Sequence, residues 1–414
     1  MMSTRRPDGT IELLAGGFLS RRGLLRVGGG TMAAAAGLPL LTGEGMAAAL
    51  QGDPQPGGDL TFGLSADPPN LDPHVDSGAA ASTIKQLVYS TMVRYWLGGE
   101  LQPNLADSWE ISDDGLEYTF ALRPGVTFHD GAPFTAEDVK ASIERMQDEA
   151  VGATLQVEMS AIEEVVAEDE LTVRLRLGQP NPAMIEYLAQ PDAAIMSKAF
   201  LDAGTDPNTT MLGTGPFTFV SREPGVRTEL ARNETYFREG LPYLDRIIFV
   251  PYTDENTRVS ALLGGEIDIA DYVPWKDMQA IEDDPALKLA LGQEAAFMCV
   301  IYNVNEAPFN DPKVRVALSY AYDRQAIVDA VFFGRGSTIT GGLIPTSSWA
   351  HNAELDGTYP YDPARAQELL AEAGFADGFS VTLLSTSQYG MRSSPMRTRR
   401  SASMSSGLVP GSCR

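Results

Sequence analysis

The sequence predicts an α/β protein with mixed sheets, arranged in two lobes, on three observations. Short runs that alternate apolar and polar residues are joined in pairs by turn-forming residues, as in hairpins. Between and after them lie segments whose apolar residues recur at helical spacing, as in βα units. The 414 residues, 43% of them hydrophobic, exceed the ~250–300 at which a single core stops growing, so two lobes are the expectation.

The elements follow in chain order. Asp59–Ser65 alternates and reads as the first strand, and the proline-rich Ala66–Pro73 cannot continue it. Asp107–Ile111 and Glu117–Arg123 flank Asp113-Asp114-Gly115 and predict a hairpin. Thr135 then opens a helix as its N-cap, with Asp138 reaching back and Val139, Ile143 and Met146 on one face. A second hairpin is expected from Ile162–Val166 and Leu171–Leu177, and a third from Phe217–Val220 and Arg227–Ala231 over Pro224-Gly225. Arg246–Pro251 predicts a further strand and Asn256–Leu263 a helix. Pro312–Gly334 predicts two helices broken near Asp323. Asp362–Ala373 is helical with Gly374 as its stop, and Phe379–Leu384 is a strand. No internal repeat is found.

Charge narrows the partners. The formal net charge is −24, from 55 acidic and 31 basic residues. Residues 1–49 carry a net +2 and residues 391–414 a net +5, which leaves −31 on the body between them. A body this acidic repels phosphates, so nucleic acid and anionic lipid are excluded as partners.

The N-terminal 49 residues read as an export signal. Ser20-Arg21-Arg22-Gly23-Leu24-Leu25-Arg26 resembles the twin-arginine signal, with Leu24 where phenylalanine is more usual. The run from Val27 to Leu41 is diluted by four glycines and falls short of the ~20 apolar residues of a membrane span. It ends near Ala47-Ala48-Ala49, suited to signal-peptidase cleavage. A Sec-type signal with an incidental Arg-Arg is the alternative, and both export the chain. No cysteine follows the apolar run, so no lipid-attachment site is present and a soluble periplasmic protein is expected. Of the two cysteines, Cys299 lies in the apolar run Phe297–Ile301 and is expected to be a buried small hydrophobe. Cys413 lies in the basic tail, and no disulfide is predicted.

A search for chemistry finds little. The G-x-S-x-G, phosphate-loop, H-E-x-x-H and C-x-x-C patterns are absent. The three histidines, His74, His129 and His351, have no short-range ligand spacing, so no metal site is expected. Carboxylate pairs such as Asp113-Asp114 and Asp283-Asp284 read as solvated turns in so acidic a chain. No cofactor motif is found.

Longer patterns carry more information. Leu105–Gly131 resembles the signature stretch of the family 5 solute-binding proteins, the extracytoplasmic receptors of peptide- and nickel-type ABC importers. The resemblance continues through Pro133–Val139 and returns at Gly213-Thr214-Gly215-Pro216-Phe217, Asn233–Phe237, Phe309–Leu318 and Tyr361–Leu370. Together these cover roughly residues 58–388 in the family's order. Most of the signature residues suit a structural part: Trp109, Tyr118 and Phe120 offer apolar surface to a small core, and His129 belongs to a loop in the family pattern.

The resemblance implies the two-lobed periplasmic binding protein fold (type II), with residues 50–300 as lobe one and a subdomain inserted at about 75–215. Residues 301–390 would begin lobe two, and Phe297–Asn303 is the candidate crossing strand. It implies capture of a di- or oligopeptide in a cleft between lobes and its delivery by a monomeric receptor to an inner-membrane ABC permease, without catalysis or cofactor. The ligand residues it nominates are Asp67 and Asn70 in the loop after the first strand, Tyr89, Tyr302 with Asn303, and Trp349. Each has a plainer reading: a turn cap for Asp67 and Asn70, packing for Tyr89 and Trp349. The competing class is an exported hydrolase or cofactor-dependent enzyme, supported only by the twin-arginine signal.

The resemblance stops near Gly390. Residues 391–414 have no acid, many serines and no apolar period, and are expected to be an aberrant, disordered tail. Lobe two would then be incomplete, without the returning strands of lobe one and without the acidic residue that commonly holds a peptide's amino terminus. The strand at Phe379–Leu384 would be left with an open edge.

Overall fold

The computed structural model describes residues 55–75, 78–95, 99–291, 297–344, 346, 348, 350–383 and 400–404. The signal lies outside the described residues. The chain divides into two compact units, which part between Tyr272 and Val273.

The first unit opens with β1 (Asp59–Leu64), α1 (Gly78–Val88) and the short pair β2 (Val93–Tyr95) and β3 (Leu101–Pro103). The expected first hairpin is β4 (Ala106–Ile111) with β5 (Glu117–Leu122), turned at Gly115 with φ +71°. Helix α2 (Ala136–Gln147) follows. The Thr135 backbone N–H donates to Asp138 Oδ2 at 2.8 Å, and Val139, Ile143 and Met146 are all buried. The second hairpin is β6 (Ile162–Ala167) with β7 (Thr172–Leu177), and the third is β8 (Phe217–Glu223) with β9 (Arg227–Arg232) over Gly225 at φ +76°. The unit ends with β10 (Arg246–Pro251), α3 (Glu255–Gly264) and β11 (Ile269–Ala270). Asp254 caps α3 through Thr257 N–H at 2.8 Å, and Gly265 stops it in the left-handed conformation.

Apart from the two-stranded pair β2-β3, these elements build two sheets over two cores. The order β4-β5-β7-β6 is antiparallel throughout. Alternation sends Tyr118, Phe120, Leu122, Val173, Leu175 and Leu177 inward onto α2, with Trp109 at the margin. The Tyr118 hydroxyl donates to the Asn181 carbonyl at 2.9 Å, so its burial leaves no polar atom unmet. The second sheet has the order β11-β1-β10-β9-β8. Its core joins Leu64, Phe249, Leu230 and Phe217 to Ile84 and Val88 of α1.

Between the cores, Gly213-Thr214-Gly215 crosses the end of α1. A β-carbon on Gly213 would stand 2.1 Å from the Val88 carbonyl oxygen, and one on Gly215 2.5 Å from that of Leu87. Both obstacles are backbone, so no side chain fits at either position. His129 braces the crossing. Its amide donates to Gly213 O at 3.0 Å and its Nε2 lies 3.0 Å from Gly215 O. Burial lowers its pKa, and a neutral ring with the proton on Nε2 donates to Gly215 O while its Nδ1 accepts from Gly213 N–H at 3.4 Å.

The second unit holds α4 (Met278–Asp283), α5 (Pro312–Ala321), α6 (Arg324–Val331), α7 (Pro363–Glu372) and β12 (Phe379–Leu383). The break near Asp323 is a fresh cap, its carboxylate accepting from Ala326 N–H at 2.9 Å. Val314, Ala317 and Leu318 pack on Leu369 and Leu370, with Tyr302, Phe309 and Phe379 around them. Residues 273–291 and 297–300 belong to this unit, although lobe one was expected to run to residue 300. The reason is visible in the contacts: Trp275 meets Phe332 edge-on at 5.2 Å, and Glu282 of α4 pairs with Arg335.

Three further expectations differ from the structure. Phe297–Asn303 is not a strand: Met298 and Ile301 are exposed, and so is Cys299, which is therefore not a buried hydrophobe. A strand exists only with a partner, and among the described residues none pairs with this run. Within the tail, Arg400–Met404 forms β13, antiparallel to β12. Backbone groups at an open edge accept any extended segment, so pairing there needs no apolar period. The remainder of the tail lies outside the described residues.

Candidate functional site

Strand direction gathers the polar groups of the first unit at one sheet edge. β1 runs parallel to β10 and β11, and β8 lies two antiparallel steps from β10. The carboxyl ends of β8, β10, β1 and β11 therefore share an edge, the usual place for a ligand on a sheet of this kind. Arg222, Tyr252, the loop beginning at Ser65, and Asp271-Tyr272 emerge there.

The loop after β1 is built around charge. Arg222, a largely buried cation of β8, donates from Nη2 to the Pro68 carbonyl and lies 3.5 Å from Asp67 Oδ2. Asn70 Oδ1 is buried without a hydrogen-bond partner among the described residues. Further on, Leu71 N–H donates to Asn208 Oδ1 at 2.9 Å. Asp72 and Arg145 of α2 then form a two-point pair at 2.6 and 3.1 Å. Burial works to raise Asp72, but the Arg145 guanidinium outweighs it and holds the carboxyl below its ordinary value. His74, fully buried, completes the anchor with Nε2 2.8 Å from Ala194 O and Nδ1 2.8 Å from Arg145 Nη1.

At β11 the anion is Asp271. Its Oδ2 accepts from Ser65 Oγ at 3.0 Å, and its Oδ1 lies 3.7 Å from Arg258 Nε. Burial pushes its pKa up to about 6, partly opposed by the Ser65 hydrogen bond and the Arg258 charge. Ser65 has no imidazole beside it: the buried histidine of this loop, His74, has both ring nitrogens engaged elsewhere. The edge thus offers separated cationic, anionic and neutral polar groups and no nucleophile–base pair. Among the described residues no group of His, Cys, Asp and Glu is arranged to hold a metal ion.

The six residues nominated from the sequence fare differently. Asp67 and Asn70 stand together on the loop at this edge. Tyr89 is 5% exposed in the core under α1, where burial raises its pKa, so its place is one of packing. Tyr302 and Asn303 lie in the second unit. Tyr302 packs on Phe309 at 5.0 Å between ring centres, its hydroxyl 3.2 Å from that of Tyr322. Asn303 Oδ1 accepts from Asn305 N–H at 3.2 Å, as a turn cap does. Trp349 lies outside the described residues. Ser65, Arg222, Asp271 and Tyr272 were not nominated. The one sequence signal for them is position directly after or at the end of a strand, since Ser65 and Asp271 meet across 206 residues.

The described helices include none long and apolar enough to cross a membrane. A family model for bacterial extracellular solute-binding proteins, family 5, matches residues 100–398. The glutathione-binding protein GsiB of Salmonella paratyphi A is 34% identical over 331 residues, 79% of this chain and 64% of that protein. GsiB of Escherichia coli K12 is 33% identical over 329 residues, with the same coverage. Among solved structures, AgaA from A. tumefaciens R10, in complex with agropinic acid, superimposes with a TM-score of 0.69 at 37% identity. That match covers 78% of this chain and 65% of AgaA. The periplasmic binding protein DppA from Helicobacter pylori, in complex with the peptide STSA, gives 0.69 at 27% identity, over 80% and 68%. The chain spans 64% of the length of the curated relatives it matches.

Proposed function

Because the chain belongs to the family 5 bacterial extracellular solute-binding proteins, we propose that it captures short peptides outside the cytoplasm and delivers them to an inner-membrane ABC permease, without transforming them. One observation supports peptides. The sheet edge sets one ion pair, Arg222 with Asp67, apart from a second, Asp271 with Arg258, and a peptide carries both an ammonium and a carboxylate to meet such separated charges. The names of its relatives point the same way, with glutathione for GsiB and a tetrapeptide for DppA. Membership of this family leaves the hydrolase reading without support. An opine is the second reading, favoured by the 37% identity to the agropinic acid complex.

Calorimetry and thermal unfolding with glutathione, the tetrapeptide Ser-Thr-Ser-Ala and agropinic acid decide between them. A hundredfold excess over Kd adds about 2.7 kcal/mol of stability. The expected result is a raised melting temperature with at least one of the two peptides and unchanged ligand after incubation. A shift with agropinic acid alone moves the assignment to opines, and turnover of a peptide returns it to the enzymes.

Export by the twin-arginine route is part of the same proposal. That route reads Arg21 and Arg22 as a pair, so replacing both with lysine is expected to leave the protein in the cytoplasmic fraction. Undiminished periplasmic protein would leave a Sec-type signal as the route.

A further inference from the structure

Tyr272 sits at the end of β11 with a φ of +46°, in the left-handed region that a bulky side chain avoids. Packing does not account for the strain, because half of the residue's surface is exposed. The backbone is instead held from below by Arg258 of α3, itself 4% exposed. Its guanidinium donates to three carbonyls, those of Tyr252 at 2.6 Å, Asp271 at 2.9 Å and Tyr272 at 2.9 Å, with the Asp271 carboxylate 3.7 Å from Nε. A buried cation thus ties the end of β10 to the end of β11 and fixes how the chain turns out of the edge at Tyr272. Strain that the core does not repay is typically kept where the strained residue has work outside the fold. A half-exposed aromatic residue that follows Asp271 directly, at the same sheet edge as Ser65, is suited to cover the apolar part of a solute.

We propose that Tyr272 is a specificity-determining ligand contact, and that Arg258 is the positioning residue that aims its ring. The proposal rests on the solute-binding reading above and adds a residue to that site. Tyr272→Ala, measured by calorimetry against glutathione, Ser-Thr-Ser-Ala and agropinic acid, is expected to weaken the probe that the parent protein binds at least tenfold. Tyr272→Phe, which keeps the ring, stays within about threefold. Tyr272→Gly is expected to raise the melting temperature while weakening binding, because glycine accepts this φ without strain. Arg258→Lys puts its donors on one nitrogen, which cannot span the three carbonyls that Nε, Nη1 and Nη2 reach separately, and as a single variant it is expected to weaken binding, yet to add little to Tyr272→Ala in the double variant. A parent that binds and a Tyr272→Ala variant that binds equally well overturn this inference and leave the function standing. A Tyr272→Gly variant less stable than the parent also overturns it, since the tyrosine would then be a packing residue. A parent that binds none of the probes overturns both readings together.

Discussion

Replacing Arg145 by alanine is expected to lower stability at neutral pH by about 3–5 kcal/mol, the usual cost of leaving a buried partner unpaired. Arg145 holds Asp72 at two points and His74 at a third, and these side chains are largely or wholly buried. Without the guanidinium, Asp72 keeps the backbone N–H of His74 and little else against its desolvation. Asp72→Ala is expected to cost a comparable amount. The double variant should lose much less than the sum, because each single change strands the partner's buried charge and the double change removes both. Denaturant titration measures all three. A loss under about 1 kcal/mol for Arg145→Ala would show that water reaches the pair and screens it.

Acidification is expected to strike the same place through His74. Its ring donates through Nε2 to Ala194 O and accepts at Nδ1 from Arg145, so a second proton would set donor against donor. The charged groups around it are Asp72 beside it, Arg145 of α2 and Lys85 of α1. Burial, opposed by the Ala194 hydrogen bond and reinforced by Arg145, lowers its pKa from 6.5 to about 4. The unfolded chain therefore binds the proton first. The stability that neutral His74 contributes is complete above pH 6.5 and is lost as pH falls from 6.5 to about 4, for a total of about 3 kcal/mol. Asp271 acts in the opposite sense. Raised to about 6, it gains stability as pH falls from 6 toward 4, so the His74 contribution must be read as a difference. His74→Gln can make both hydrogen bonds and does not titrate. Stability measured from pH 7 to pH 4.5 should fall more steeply in the parent than in this variant. With three histidines in the chain, ring resonances can also be assigned, and a His74 that titrates near 6.5 would refute the account.

The legible part of this fold is local. Asp113-Asp114-Gly115 turns β4 into β5 because a glycine at φ +71° and its neighbours contain the whole instruction. Asp254, Asp323 and Asp362 each cap a helix by accepting an amide three residues on. The same holds for the apolar face of α2, which any partner surface would bury. Where local pattern misleads, a partner is at issue. Phe297–Ile301 has the composition of a buried strand and is exposed, whereas Arg400–Met404 has none of it and pairs with β12. Glycines 213 and 215 look like loop residues, and only the Val88 and Leu87 carbonyls pressed against them explain why nothing larger fits.

By itself, then, the sequence determined the mixed α/β class, the hairpins, the helix start at Thr135 and the position of the loop after β1, since each depends on interactions within a few residues. The tertiary structure alone decided which polar groups meet at the sheet edge. Arg222 reaches Pro68 across 154 residues and Ser65 reaches Asp271 across 206, and no spacing rule links such pairs. It also decided that Tyr89 and His129 belong to the interior while Tyr272 stands in water. A side chain's role follows from the burial and charge around it, and that surrounding is assembled only when distant strands pair.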